Sequence, residues 1–150
     1  MASRIPETPS WCFLVFNLLK YGIIGYMIKK QVEFPLIDEY KKHFEITDKT
    51  IFALGEDIYT DYDLTPDLLI HEQTHLKQQE RVGVKEWVYD FLYIPEKRLE
   101  YEVEAYREQL KSINDRNNRA TIRIESAKTL SSGLYGNIIE FQNALELLKI

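Results

Sequence analysis

The most apolar stretch of the chain is residues 11–28, WCFLVFNLLKYGIIGYMI, preceded by a polar arm over residues 1–10 that holds two prolines. Trp11, Leu14, Val15, Leu18, Gly22 and Gly25 fall on one helical stripe, with Asn17 and Lys20 off it. That pattern predicts a core helix, or a helix and a strand, covering the rest of the domain. The competing expectation is membrane attachment through residues 11–28. A spanning helix needs about 20 predominantly apolar residues, so this run is marginal, and Lys20 puts a costly charge in its middle. A secretory signal is not expected: Arg4 is the only preceding basic residue, Asn17 and Lys20 interrupt the apolar run, and no small-residue cleavage site follows.

Residues 31–49 hold no clean period and read as loop with short helix. TIFAL at 50–54 and DIYT at 57–60 are two short β-prone runs around Gly55-Glu56, which predicts a hairpin. Leu64-Thr65-Pro66-Asp67 then reads as a helix start. Thr65 can cap, Pro66 suits the first helical position and Asp67 complements the positive end of the dipole. This helix is expected to stop near Gly83. Residues 84–93, VKEWVYDFLY, form a connecting helix with Trp87, Val88 and Phe91 on one side, and Pro95 opens another, EKRLEYEVEAYREQLKSI. Asp115-Arg116-Asn117-Asn118 ends that helix and caps the next. Two amphipathic helices, over residues 119–129 and 137–149, complete the chain. Ile122, Ile124, Ala127 and Leu130 are expected inward in the first, and Ile138, Phe141, Ala144, Leu145 and Leu148 in the second.

A length of 150 residues fits one domain, and 45% apolar with 29% charged residues is a globular balance. The net charge of −5, with no Lys/Arg block, argues against a nucleic-acid partner. The single cysteine, Cys12, excludes an internal disulfide and a Cys-rich zinc cluster. Of the three histidines, His43 lies in a charged stretch and reads as a surface residue, whereas His71 and His75 lie four apart.

That pair belongs to His71-Glu72-Gln73-Thr74-His75, an H-E-x-x-H pattern on the helix that starts at Pro66. The i,i+4 spacing puts both imidazoles on one face, where they can share a tetrahedral zinc ion. Glu72 is then placed to act as general base toward a water. The bland alternative is two solvent-facing histidines on an amphipathic helix, but Leu68, Leu69 and Leu76 set apolar residues beside them. A catalytic zinc needs a third protein ligand. The long motif with a downstream Gly and third His fails, because Gln78 and Arg81 stand at those positions. A carboxylate on the helix after Pro95 is the remaining source, and Glu96, Glu100, Glu102, Glu104 and Glu108 all lie there. If Glu102 faces the metal, Glu100 and Glu104 are turned from it by about 200°.

The pairing of HEQTH with Glu102-Val103-Glu104-Ala105 resembles the gluzincin metallopeptidases. More narrowly, IYTDYDLTPDLLIHEQTH, RLEYEVEAYREQ, Asp115-Arg116-Asn117 and LSSGLYGN resemble a small phage-encoded gluzincin-like family, over residues 51–150; the first 50 residues do not match. The resemblance implies Zn2+ held by His71, His75 and Glu102, with Tyr106 in place of the usual Asp. It also implies a minimal zincin-like α+β domain, predominantly helical, with the zinc-site helices in residues 64–112 and a short hairpin before the first. Glu72 would be the base of peptide-bond hydrolysis. Tyr135, in the Gly-flanked loop, is the candidate oxyanion donor, against a plain packed aromatic. Asp115 and Arg116 are candidates for orienting the zinc ligands, or for a structural ion pair. The expected partner is a peptide or protein substrate, with virion association as a further expectation. The expected location is the bacterial host cytoplasm or a phage virion. The competing function is a catalytically silent, zinc-stabilised structural or accessory protein.

Overall fold

The computed structural model describes residues 14–17 and 24–150, with side chains from Tyr26 onward. Four short strands form one sheet in the order β1-β2-β4-β3: β1 Leu14–Asn17, β2 Ile24–Lys29, β3 Phe52–Leu54 and β4 Asp57–Tyr59. β1 runs antiparallel to β2, β2 parallel to β4, and β4 antiparallel to β3. The segment between β2 and β3 holds a 3-10 turn at Gln31–Glu33 and the short helix α1, Ile37–Tyr40.

The hairpin expected around Gly55-Glu56 is present, with Leu54 paired to Asp57 across the turn. Gly55 opens that turn at φ 66, a conformation that L side chains adopt at a cost. The helix expected within residues 11–28 is not formed by the described part, which is strand at 14–17 and 24–29. A continuous apolar run matches a buried strand as well as a helical stripe, so periodicity alone does not separate them. Trp11, Cys12, Leu18, Lys20 and Gly22 lie outside the described residues, as does the arm over residues 1–10. Among the described residues no helix is long and apolar enough to cross a membrane.

Helices α2 (Pro66–Val82), α3 (Val84–Tyr93), α4 (Pro95–Ser112), α5 (Arg116–Leu130) and α6 (Phe141–Leu147) make up the rest, with a 3-10 turn at Gly133–Tyr135. The molecule is predominantly helical, with a small β element before α2, which is the minimal gluzincin-like arrangement. Pro66 stands at the first helical position, although the Thr65 side chain makes no cap hydrogen bond. Gly83, at φ 94, both ends α2 and begins α3; an L side chain there would be strained. Asp115 caps α5 by accepting from the Asn118 amide at 2.6 Å.

Three apolar clusters hold the elements together. Tyr26, Ile58 and Leu76 join the sheet to α2. An aromatic cluster packs α1, β3 and β4 against α3 and α4; its centre is the Phe34–Phe52 stack, with ring centroids 4.1 Å apart. Leu110, Ala127, Leu130, Ala144 and Leu148 close α4, α5 and α6 together. Ile124, expected inward, is 43% exposed, and α6 begins at Phe141 instead of near Asn137.

Gln79 ties α2 to the sheet. Its Nε2 donates to the Ala53 carbonyl at 2.8 Å, and its Oε1 accepts from the Gly55 amide at 2.8 Å. Gln79→Leu keeps the volume but strands both main-chain groups. It should lower unfolding stability by about 2–4 kcal/mol, read from urea denaturation, and a loss below about 0.5 kcal/mol would contradict this reading of the contact.

Candidate metal centre

Helix α2 is buried where polar residues are densest. His71, Glu72, Gln73, Thr74, His75, Gln78 and Gln79 are all buried alongside Leu76, so the helix is enclosed and not merely faced on one side. Thr74 returns its hydroxyl proton to the Ile70 carbonyl at 2.8 Å, which satisfies it within the helix. α4 packs alongside α2 and presents Glu102 to the histidine pair. On this helix Tyr101, Ala105 and Leu110 are buried, and Glu100 is turned outward to Lys97.

The structure brings the three expected ligands together. His71 Nε2 and His75 Nε2 are 3.1 Å apart; Glu102 Oε2 is 3.4 Å from His71 Nε2, and Glu102 Oε1 is 3.5 Å from His75 Nε2. A tetrahedral ion about 2.0–2.1 Å from each donor spaces the donors by about 3.3 Å; the three separations lie close to that spacing, with Glu102 turning one oxygen to each histidine. All three residues are buried, and they are a cluster able to hold a divalent metal. Glu102 Oε2 has no hydrogen-bond partner although it is buried. A buried carboxylate oxygen left open beside two imidazole nitrogens is the signature of a cation site.

Burial pushes the His75 imidazole below its ordinary pKa. At Glu102 burial acts upward, but the two histidines and the Tyr135 hydroxyl outweigh it and hold the carboxyl below the usual range. At His71 burial acts downward and the neighbouring carboxylates, Glu102 first, carry the imidazole above its ordinary value. Glu72 is pushed up to about 7, chiefly by burial, against the pull of His71.

His71, His75, Glu102 and Glu72 line one cavity of about 360 Å3. Its remaining wall is largely aromatic, with Tyr40, Phe44, Phe52, Trp87 and Phe91, while Thr47 and Lys49 belong to its polar side. Tyr135 also lines it, and its hydroxyl interacts with Glu102 and with Tyr106, whose ring packs edge-on against His71 at 4.4 Å. The turn that carries Tyr135 is pinned by Arg98. This buried guanidinium donates to the Tyr135 carbonyl at 3.0 Å and to the Phe91 and Leu92 carbonyls at 2.7 and 3.3 Å.

Two glutamines behind the histidines were not legible as functional. Gln78 Oε1 stands 3.0 Å from His75 Nδ1. Gln109 donates from Nε2 to Asp67 at 2.8 Å, and its side chain interacts with His71. The available signal for Gln78 was its place three residues after His75, on the same helix face. Asp115 and Arg116 are exposed; Asp115 caps α5 and neither orients a ligand. His43 is exposed and sits 3.6 Å from Glu39.

Compared with family models, with curated proteins and with solved structures, the chain gives no match. What the site can do therefore rests on its own geometry. One divalent ion per chain is expected in equilibrium dialysis. Glu102→Ala and His75→Ala should each weaken binding by more than the roughly 10–100-fold that loss of an outer partner costs. Glu72→Gln should bind as the wild type does; equal binding in all four proteins would place the ion elsewhere.

Proposed function

We propose that the chain is a zinc-dependent metallopeptidase. The observation that carries the proposal is the buried His71–His75–Glu102 triangle with Glu72 beside it, both opening on one cavity. Two imidazoles and one carboxylate are a donor set that suits zinc; His71, His75 and Glu102 would hold it, and it would supply a Lewis acid at the cavity.

The residues of the chain supply the rest. The Glu72 carboxylate takes a proton from the attacking water as the water oxygen bonds to the substrate carbonyl carbon. When the carbon–nitrogen bond breaks, Glu72 returns that proton to the departing amine. A metal retained only for stability needs neither a base nor a cavity at its side. Tyr135 faces the same space from its Arg98-pinned turn, and its hydroxyl serves as donor to the oxyanion of the tetrahedral intermediate. The aromatic wall excludes water and suits an apolar residue next to the bond that is cut.

Zinc-loaded protein incubated with a mixed peptide library, read by mass spectrometry, tests this. Glu72→Gln should lower the cleavage rate by about 10²–10⁴-fold while zinc is retained. Tyr135→Phe should lower kcat by about 10²–10³-fold with little change in KM. A zinc-loaded wild type that leaves the whole library intact would support the catalytically silent alternative.

A further inference from the structure

Gln78 has no exposed surface, and all four hydrogen-bonding positions of its amide are used. Nε2 donates to the Tyr101 carbonyl at 2.9 Å and to Glu104 Oε2 at 3.0 Å. Oε1 lies 3.1 Å from the Trp87 indole nitrogen and 3.0 Å from His75 Nδ1. The orientation of this amide follows from its neighbours. An indole N–H only donates, so it must meet the oxygen; a main-chain carbonyl only accepts, so it must meet the nitrogen. Turning the amide over would set N–H against N–H at Trp87 and oxygen against oxygen at Tyr101, in a place that water does not reach.

With Oε1 fixed as an acceptor, His75 Nδ1 must carry a proton. A neutral imidazole has only one, so Nε2 presents its lone pair to His71 and Glu102. We propose that Gln78 is a positioning residue that locks His75 as the Nδ1–H tautomer and so reserves His75 Nε2 for a metal ion. The metal clause rests on the reading of the triad given above; the tautomer lock does not. Glu104 is the far end of the chain of contacts. It is held outside by Arg81 at 2.9 Å, and it keeps the glutamine amide turned with its nitrogen outward. Glu104 thereby acts on His75 through Gln78, two elements on from α2 in sequence but adjacent in space.

The lock can be read without metal. In metal-free protein labelled with 15N-histidine, at a pH above the imidazole range, long-range 1H–15N correlation reports which nitrogen of His75 carries the proton. The wild type should show Nδ1–H. Gln78→Met, which fills the space without an acceptor, should lose that pattern and bind zinc about 10–100-fold more weakly. A wild type with the proton on Nε2 overturns the proposal, whether or not the variants fold. So does a folded Gln78→Met that keeps the Nδ1–H pattern. A wild type that shows Nδ1–H yet binds no zinc leaves the lock standing and removes the metal reading of the triad instead.

Discussion

The constraint on which this structure depends is the burial of a polar helix. α2 places six consecutive residues, 71–76, out of water, and only one of them is aliphatic. A buried polar group without a partner costs a few kcal/mol, roughly as much as a protein's whole stability margin allows for one or two errors. Every neighbour of α2 therefore has to present a matching group. The turn after β3 offers Gly55 and the strand offers Ala53 to Gln79; α3 offers the Trp87 indole and α4 the Tyr101 carbonyl to Gln78. Once those contacts are made, the sheet, α3 and α4 have little freedom to sit elsewhere.

The same constraint explains why Glu102 completes the site. A carboxylate at 2% exposure, with one oxygen lacking any hydrogen bond, is stable only against positive charge. His71, whose imidazole the neighbouring carboxylates carry above its ordinary value, supplies part of it, and a bound divalent ion would supply more. Glu72 adds a second buried carboxylate within the field of the first, and that crowding is also relieved by a cation. The candidate metal site and the stability of the fold thus draw on one arrangement. The aromatic cluster below adds rigidity, since Trp87 and Phe91 pack edge-on against His75 at 5.5 and 6.3 Å.

Where the sequence was legible, local chemistry was specific. Pro66 marks the start of α2 because its fixed φ and missing N–H suit the first helical position, and Gly83 and Gly55 mark the end of α2 and the hairpin because each holds a positive φ that most residues avoid. His71 and His75 were readable from their spacing. Glu102 needed a resemblance to stand out from four other glutamates on its helix, and the facing of α4 then separates it from Glu100, which is solvated beside Lys97. Glu104 is less simply turned away than a helical wheel implies, since it reaches back over the flank of α2 to Gln78 and Arg81. Residues 14–17 and 24–28 are strand where a core helix, or a helix and a strand, was expected, because a continuous apolar run fits more than one period. Ile124 misled because α5 buries only one narrow side, toward α4 and α6. Gln78 could not be read, because its role depends on Trp87, Tyr101 and Glu104, partners that only the folded chain assembles.

The central claim is that the triangle of His71, His75 and Glu102 is a metal site. Crystals grown with zinc, measured on both sides of the zinc absorption edge, test it most directly. The account predicts one anomalous peak between the two Nε2 atoms and the Glu102 carboxylate, at about 2.0–2.2 Å from each ligand atom. A fully formed triangle with no anomalous density, or a peak only at surface carboxylates, would contradict it.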